Sequence, residues 1–428
     1  MENFVKGEKE DIKNIFGRFR KRDFSGNTGQ VIKNSSYLLA TTLTAKIGSL
    51  VFVIIIARLL MPELFGLYSL ALATIILFSS FSDLGIGSAL IVFISKALSE
   101  KDFKKARAYF QGLLRYKIYL VVLSSFTLLI SAYFIANFYY NKPIFLALLA
   151  GGIYLPVVSF LGYLDGIFMA KNIFKFSLIK EIIFQVLRIV FVPVGILYLL
   201  KINSSSSLIV ASIILILTFC YFIALIFLKI NLVKNIPFLK EKREFLTLED
   251  KKRIKKFIIP LSVTALSGMF FGYIDILMLG HYVESSFIGY YGVAFGLIGA
   301  ASALIGFLPG AMLPIFSRLN KKSLERMFKK IRNIIILISV LAAIFTFFFA
   351  NYILLIYGES YIPATIILKV FSALLIILPL IGIYSSYFIS QKRTKSIAVL
   401  LVGATFLNII LNLAFITYGL KFGMMQAV

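Results

Sequence analysis

The chain has 428 residues, of which 60% are hydrophobic, and its mean hydropathy of +0.94 lies far above that of soluble globular domains. It carries 45 Lys and Arg against 19 Asp and Glu, with one Cys and one His. Single copies of Cys220 and His281 exclude a disulfide framework, a Cys/His metal site, a Cys–His nucleophile pair and a Ser–His–Asp triad. The composition therefore predicts an all-α polytopic membrane protein and gives no indication of a metal or cofactor.

The N-terminal segment 1–30 is charged and lacks a short apolar stretch followed by a cleavage site, so we expect no signal peptide and a cytoplasmic N-terminus. Eleven apolar runs follow that are long enough to cross about 30 Å of hydrocarbon. They lie near 31–57, 66–94, 111–138, 143–168, 177–200, 206–229, 257–280, 287–317, 331–357, 361–389 and 396–418. A twelfth begins at Phe422 and stops at Val428, so we expect the C-terminal end to be incomplete.

The basic residues predict the orientation, because cytoplasmic loops hold the excess of Lys and Arg. With the N-terminus inside, the cytoplasmic segments carry 38 of the 45, whereas the exterior loops carry four: Arg58, Lys142, Lys201 and Lys421. We therefore interpret the charge of +26 as a topology signal and as attraction to anionic membrane lipids, and expect no nucleic-acid binding. A multi-pass location in the cell membrane follows.

The basic linker 231–256 divides the chain into a first bundle, 31–230, and a second, 257–428. The sequence FGLYSLALATIIL aligns with IGYYGVAFGLIGA, and ALIVFISKALS aligns with AMLPIFSRLNK, at corresponding places in the two halves. Chance similarity between apolar segments is the alternative to duplication. Repeats with an even number of spans are parallel, which predicts two six-helix bundles around a central cavity, as in many transporters.

The run ARLLMPELFGLYSLALATIILFSSFSDLGIGSALIVFIS resembles the first exterior loop and second helix of Wzx-type polysaccharide flippases. The stretches DILMLGHYV and NIILNLAFITYGLKFG are similar to the same family, which belongs to the multidrug/oligosaccharidyl-lipid/polysaccharide (MOP) superfamily. A Pro usually stands in the family where this chain has Thr417, and at least one further helix follows.

The resemblance implies a flippase that carries an oligosaccharide on polyprenyl (pyro)phosphate to the outer leaflet by alternating access. A coupling ion, H⁺ or Na⁺, and a monomeric state would accompany that function. A multidrug cation antiporter of the same superfamily is one alternative. A membrane polymerase or ligase is another, although the short exterior loops leave no room for a catalytic domain.

Charges near the bilayer centre cost about 3 kcal/mol each on insertion scales, so they are candidate site residues. The deepest are Lys46, Asp83 and Arg188. Arg188 shares a helical face with Glu181 and Gln185, at spacings that form a polar stripe. We expect Lys46 and Arg188 to offer positive charge to a pyrophosphate inside the cavity. The structural alternatives are a Lys46–Asp83 ion pair and an internal network along the Arg188 stripe.

Two further charges are weaker candidates. Lys369 could join the cationic cavity from the second bundle, or extend to the headgroups. Asp275 lies near a span end and is a candidate for sensing a proton or sodium ion.

The eighth span is the candidate mobile element. Gly289, Gly292, Gly296 and Gly299 predict one smooth packing face. Pro309 and Pro314 then interrupt the same span and predict a hinge, because each removes a backbone hydrogen bond.

Overall fold

The computed structural model describes residues 26–241, 245–306, 321–391 and 394–428. Within these ranges the regular structure is helical, which confirms the predicted fold class. We number the α-helices in chain order as α1 Gly26–Phe81, α2 Ile86–Ser99, α3 Phe103–Phe134, α4 Phe145–Ala170, α5 Phe174–Lys201, α6 Ser206–Asn235, α7 Leu248–Tyr282, α8 Ser285–Ile305, α9 Lys321–Leu355, α10 Thr365–Phe371, α11 Leu374–Ser390, α12 Thr394–Gly419 and α13 Met424–Ala427.

Nine of the described helices are long and apolar enough to cross a membrane, or ten when the bent pair Glu359–Phe371 and Leu374–Ser390 counts as one span. The first of them, Lys33–Phe81, has 49 residues, which is about 74 Å of helix and twice the thickness of the hydrocarbon core. It bends sharply at Met61, whose φ of 58° and ψ of 169° are non-helical, directly before Pro62. The two arms of α1 therefore account for the first predicted span and the start of the second.

The second predicted span is broken in its middle. Helix α1 ends at Phe81, a turn follows over Ser82–Gly85, and α2 then begins at Ile86. Leu84 and Gly85 have φ values of 43° and 83°, so the chain passes through the left-handed region where glycine carries no steric cost. Sequence periodicity predicted one continuous helix here, because both arms of the break are equally apolar.

Several short turns between spans use residues that tolerate a left-handed backbone. Asn141, Asn172 and Asn203 all have φ between 50° and 59°, each in a connection between two spans. Asparagine suits such positions because its short polar side chain bonds locally. At the N-terminus of α3, Asp102 caps the helix by accepting a hydrogen bond from the backbone N–H of Lys105 at 2.9 Å. These turns fix the up-and-down order of the helices.

In the first half, α1, α4, α5 and α6 pack around a shared apolar core. The core includes fully buried Phe52, Ile75 and Phe168, together with Tyr163, whose hydroxyl donates to the Phe110 carbonyl at 2.6 Å. In the second half, α7 packs along α12, and α9 along α11. Helix α6 continues to Asn235 and α7 begins at Leu248, so both helices extend into the predicted linker 231–256 and the connection between them is shorter.

The two halves meet where the second arm of α1 crosses α8. A side chain on Gly66 would clash with the Ser285 carbonyl, and one on Gly289 with the Pro62 carbonyl, so the two backbones are in direct contact. Glycine permits this close approach. Farther along α8, Gly296 and Gly299 have nothing within 4 Å of an added Cβ and border open space. The predicted glycine face thus packs at one end and opens at the other.

Contacts between connections define two ends of the molecule. The basic end contains the turns at 100–102 and 171–173 and the connection 236–247, where Lys171 donates to the Asn235 carbonyl at 2.6 Å. The far end contains the turns at 139–144, 283–284 and 356–364.

Candidate functional site

The predicted stripe on α5 is a connected chain of hydrogen bonds. Arg188 Nε donates to Gln185 Oε1 at 2.8 Å, and Gln185 Nε2 donates to Glu181 Oε1 at 2.7 Å. Gln185 Nε2 also lies 3.4 Å from the carbonyl oxygen of Ala45 on α1. The internal network that the spacing suggested is therefore present, and it links α5 to the first arm of α1.

The Arg188 guanidinium is buried, with 9% of the residue exposed, and lies between two aromatic rings. Its Cζ is 4.5 Å from the Phe52 ring centre and 4.9 Å from that of Phe184, distances at which a cation is attracted to the ring face. Its Nη2 has no hydrogen-bond partner among the described residues, and an unsatisfied buried donor costs about 1–3 kcal/mol. The two rings therefore stabilise the charge of Arg188, while its Nη2 remains able to donate a hydrogen bond.

Gly48 makes room for this chain of polar groups. A Cβ at Gly48 would lie within 3 Å of the Gln185 side-chain amide. Residues 45, 48 and 52 therefore form the face of α1 that contacts the α5 stripe.

Lys46 lies on the adjacent face of the same arm and borders a different space. A cavity of about 220 Å³ separates α1 from α8 there, lined by Lys46 and Ser49 on one side and by Gly296 and Gly299 on the other. Lys46 is exposed and forms no ion pair or hydrogen bond with any residue in the described ranges. Lys46 and Arg188 therefore lie on two different sides of the first arm of α1. Lys46 lines this cavity, whereas Arg188 of α5 does not.

Tyr357 completes the lining of the Lys46 cavity from the second half. Only 1% of Tyr357 is exposed, and its hydroxyl has no hydrogen-bond partner among the described residues. The cavity thus holds an unpaired ammonium and an unused hydroxyl, both of which can donate to an anionic ligand. Sequence reasoning missed Tyr357, because it lies at the very end of the predicted span 331–357 and carries no charge.

The structural alternative of a Lys46–Asp83 ion pair is wrong, because Asp83 pairs with Lys117 instead. Asp83 Oδ1 lies 2.8 Å from Lys117 Nζ and also accepts from the backbone N–H of Gly87 at 3.3 Å. The break in the second span directs the carboxylate toward α3, where Lys117 is 2% exposed. The Asp83 side chain is 46% exposed and keeps one side open. Lys117 could have been found from sequence, since it lies inside the predicted third span rather than in the loop before it.

Asp275 is held by neutral donors from two other helices. Its Oδ2 accepts from the Tyr291 hydroxyl of α8 at 2.8 Å, and its Oδ1 accepts from the side-chain amides of Asn408 and Asn412 of α12. No basic side chain pairs with Asp275 in the described ranges. The i, i+4 spacing of the two asparagines in NIILNLAFITYG was the available sequence signal.

Lys369 does not join either group. It is an exposed residue of α10, with its ammonium 5.6 Å from the ring centre of Phe347, itself an exposed residue of α9. The predicted hinge residues Pro309 and Pro314 lie outside the described residues.

Four side chains donate hydrogen bonds to main-chain carbonyls across the two halves at the far end, where the Ser360 hydroxyl also lies 3.7 Å from the Met61 sulfur. Arg58 donates from Nε to Ile356 at 2.6 Å, with Nη2 lying 3.3 Å from the Leu355 oxygen. The other three are Tyr361 to Ala57 at 3.0 Å, Lys142 to Gly280 at 2.7 Å, and His281 Nδ1 to Tyr139 at 2.6 Å. Burial lowers the pKa of Lys142 from its usual value, while nearby Glu284 acts in the opposite direction.

Comparisons with known proteins agree with this arrangement. Residues 31–320 match the profile of a family described as polysaccharide biosynthesis protein. The chain is similar in structure to the lipid II flippase MurJ in an inward closed conformation, with a TM-score of 0.71 and 18% identity over 91% of this chain and 83% of that one.

Two further solved structures are similar. An inward-facing multidrug resistance MATE-family transporter of the MOP superfamily gives a TM-score of 0.62 and 16% identity over 92% of this chain and 89% of that one. A eukaryotic MATE transporter gives 0.58 and 14% identity over 93% and 92%. No curated protein matches the chain by sequence. At these identities the structural similarities establish the fold.

Proposed function

The chain belongs to the polysaccharide biosynthesis protein family and has the fold of the MOP superfamily, and on this premise we propose that it moves a lipid-linked oligosaccharide across the cell membrane. The substrate is an oligosaccharide on polyprenyl (pyro)phosphate, carried from the cytoplasmic to the outer leaflet for surface polysaccharide or glycan synthesis. The protein acts as a monomer and catalyses no covalent step.

One observation carries the proposal: Lys46 faces a cavity between the two halves and has no ion-pair partner within the described residues. An unpaired cation at this depth is costly unless it serves a ligand or a water-filled path. A phosphate oxygen can accept from the ammonium, and Tyr357 lies on the same cavity as a second donor. Gly296 and Gly299 leave room for the ligand on the opposite wall.

Arg188 has a supporting role in this proposal. It is buried in the first half behind the arm that carries Lys46, and the hydrogen bonds of Gln185 hold that arm against α5. Its free Nη2 is the donor that a phosphate group would reach if the arm moved. We leave Lys369 out of the proposed site, because it lies next to Phe347 on the outer surface.

Alternating access requires that the far end opens and closes. The basic end lies in the cytoplasm in this proposal, since it holds the excess of Lys and Arg. The far-end bonds from Arg58 and Tyr361 close the outer side in the present conformation and break when substrate is released. Asp275, which has neutral partners only, is the proposed binding site for H⁺ or Na⁺ as coupling ion.

The test is transport of a fluorescent polyprenyl-pyrophosphate oligosaccharide in proteoliposomes, comparing the wild type with Lys46→Gln, Lys46→Arg and Lys369→Gln. Loss of a charged hydrogen bond costs about 1.5–3 kcal/mol. We therefore expect Lys46→Gln to lower the initial rate about tenfold to hundredfold, Lys46→Arg to retain most of it, and Lys369→Gln to match the wild type.

Either of two results would contradict the proposal. Equal rates for Lys46→Gln and the wild type would remove Lys46 from the path. Export of cationic dyes, with no movement of any lipid-linked sugar, would identify a drug antiporter instead.

A further inference from the structure

A second cavity, of about 230 Å³, lies at the basic end, where the segment that precedes α7 folds over α3. Leu246 is the anchor of this segment, with 9% of the residue exposed, and it packs onto Gly112. A side chain on Gly112 would clash with Leu246, so the close approach depends on the glycine. The shape of the cavity therefore depends on the contact between Leu246 and Gly112.

Two polar contacts fix the cavity wall. Thr247 caps α7 by accepting from the backbone N–H of Asp250 at 3.1 Å. The Asp250 carboxylate in turn accepts from the hydroxyl of Tyr109 on α3 at 2.9 Å, and Lys105 lies 3.8 Å away. The start of α7 is thus tied to α3, and the groups that line the cavity keep a defined separation.

Among the described residues the lining is cationic and contains no carboxylate. Arg115 of α3 and Lys251 of α7 contribute the charges, and Gln111 adds an amide donor. Within the described residues Arg115 and Lys251 form no ion pair, whereas the neighbouring acidic residues Glu249 and Asp250 are engaged with Arg253 and Tyr109. Two unpaired cations and an amide can together bind an anion with several acceptor oxygens.

The rim of the cavity is apolar. Phe245 is 77% exposed, and the Arg115 guanidinium lies 5.7 Å from the Phe245 ring centre. The neighbouring Tyr116 is 48% exposed, and exposed apolar residues continue along α3 from that point. A cationic pocket with an apolar rim, at the end of a membrane-spanning helix, matches a phosphate headgroup attached to hydrocarbon chains.

We propose that this cavity binds the phosphate headgroup of an anionic membrane lipid in the leaflet at the basic end. The phosphate would bridge Arg115 of the first half and Lys251 of the second, while Phe245 and Tyr116 contact the acyl chains. Occupancy would stabilise the contact between the two halves at this end. The inference depends on the membrane location of the chain and is independent of the transported substrate.

The test is native mass spectrometry of the full chain in detergent, titrated with phosphatidylglycerol or with phosphatidylcholine. The variant Arg115→Gln/Lys251→Gln removes the two cations. The control Arg326→Gln/Lys329→Gln removes one Arg and one Lys from exposed positions near the start of α9. Each cation near anionic lipid contributes a factor of about five, so we expect the first variant to bind phosphatidylglycerol about 30-fold more weakly and the control to match the wild type.

The charge-conserving variant Arg115→Lys/Lys251→Arg is expected to keep phosphatidylglycerol binding, which separates loss of the site from misfolding. Equal weakening in the control would show general charge attraction and overturn the proposal. Equal affinity for both lipids would also overturn it. Full displacement of phosphatidylglycerol by an equimolar amount of inorganic phosphate would identify a site for free phosphate instead.

Discussion

The Asp83–Lys117 ion pair gives a prediction with an asymmetric outcome. Lys117 is 2% exposed, whereas the Asp83 side chain is 46% exposed at the break in the second span. Asp83→Asn leaves an ammonium in a buried site without a counter-charge. Lys117→Met leaves a carboxylate that is half open to the space beside it. The two substitutions break the same 2.8 Å contact, yet they leave very different charges behind.

The expected magnitudes follow from this difference in exposure. Truncation of one partner of a buried pair costs about 3–5 kcal/mol, chiefly because the other charge remains buried. We expect about 3 kcal/mol for Asp83→Asn, the lower limit, since the pair is only partly desolvated. Lys117→Met should cost about 1 kcal/mol, the value for a solvated pair. The double variant should be more stable than Asp83→Asn alone, because it contains no stranded charge.

The measurement is the free energy of unfolding from SDS titration in mixed micelles. The matched control is Glu100→Gln, which breaks the Lys96–Glu100 pair of 3.9 Å with side chains 67% and 54% exposed. That exposed pair should contribute less than about 0.5 kcal/mol. The reasoning would be refuted if Lys117→Met cost as much as Asp83→Asn, or if the double variant were the least stable of the three.

Three further predictions concern other parts of the site. Gly48→Ala should displace the Gln185 amide and lower the free energy of unfolding by about 1–3 kcal/mol, whereas Gly296→Ala, which borders open space, should change it by less than about 0.5 kcal/mol in the same titration. Asp275→Asn should leave lipid-linked sugar movement without a gradient intact but abolish its acceleration by an H⁺ or Na⁺ gradient, measured in proteoliposomes; retained acceleration would exclude Asp275 as the coupling site. Arg58→Gln should open the far end, because it removes the hydrogen bond to the Ile356 carbonyl. In a Cys220→Ser background, labelling of Ser49→Cys in the cavity by an impermeant maleimide should then rise about tenfold. Unchanged labelling would show that these bonds do not close the cavity.

The helical class and the order of the spans could be predicted from the sequence, because each span is an apolar run whose length is set by the bilayer. The predicted number was eleven, whereas nine or ten of the described helices are long and apolar enough to span a membrane. The bend at Met61 falls in the predicted loop between the first two spans, directly before Pro62, so its position agrees with the sequence analysis. The break inside the second span could not be predicted. The turn at Ser82–Gly85 contains a glycine, but glycines in the eighth span leave their helix intact.

The candidate site was predictable one helix at a time. The spacing of Glu181, Gln185 and Arg188 predicted a hydrogen-bonded stripe, because all three lie on one helix. The partners of Asp83 and Asp275 come from other helices, and their choice depends on helix rotation and on local breaks that the sequence pattern does not encode. For the same reason Lys46 and Arg188, both deep cations, were expected in one cavity, whereas Arg188 of α5 packs against a different face of α1 from the one that carries Lys46.

At the far end, four side-chain donors bond to main-chain acceptors across the two halves, whereas Ser360 contacts the side-chain sulfur of Met61. Arg58, Tyr361, Lys142 and His281 each donate to a carbonyl oxygen, which every amino acid supplies equally. Substitutions at Leu355, Ile356 or Ala57 therefore leave the acceptors in place, and no charge-reversal pair can transfer the contact to new residues. Carbonyl oxygens also do not titrate, so acidification at the far end removes none of these acceptors. These four contacts are therefore robust to sequence drift on their acceptor side, and the sequence requirement falls on the four donors.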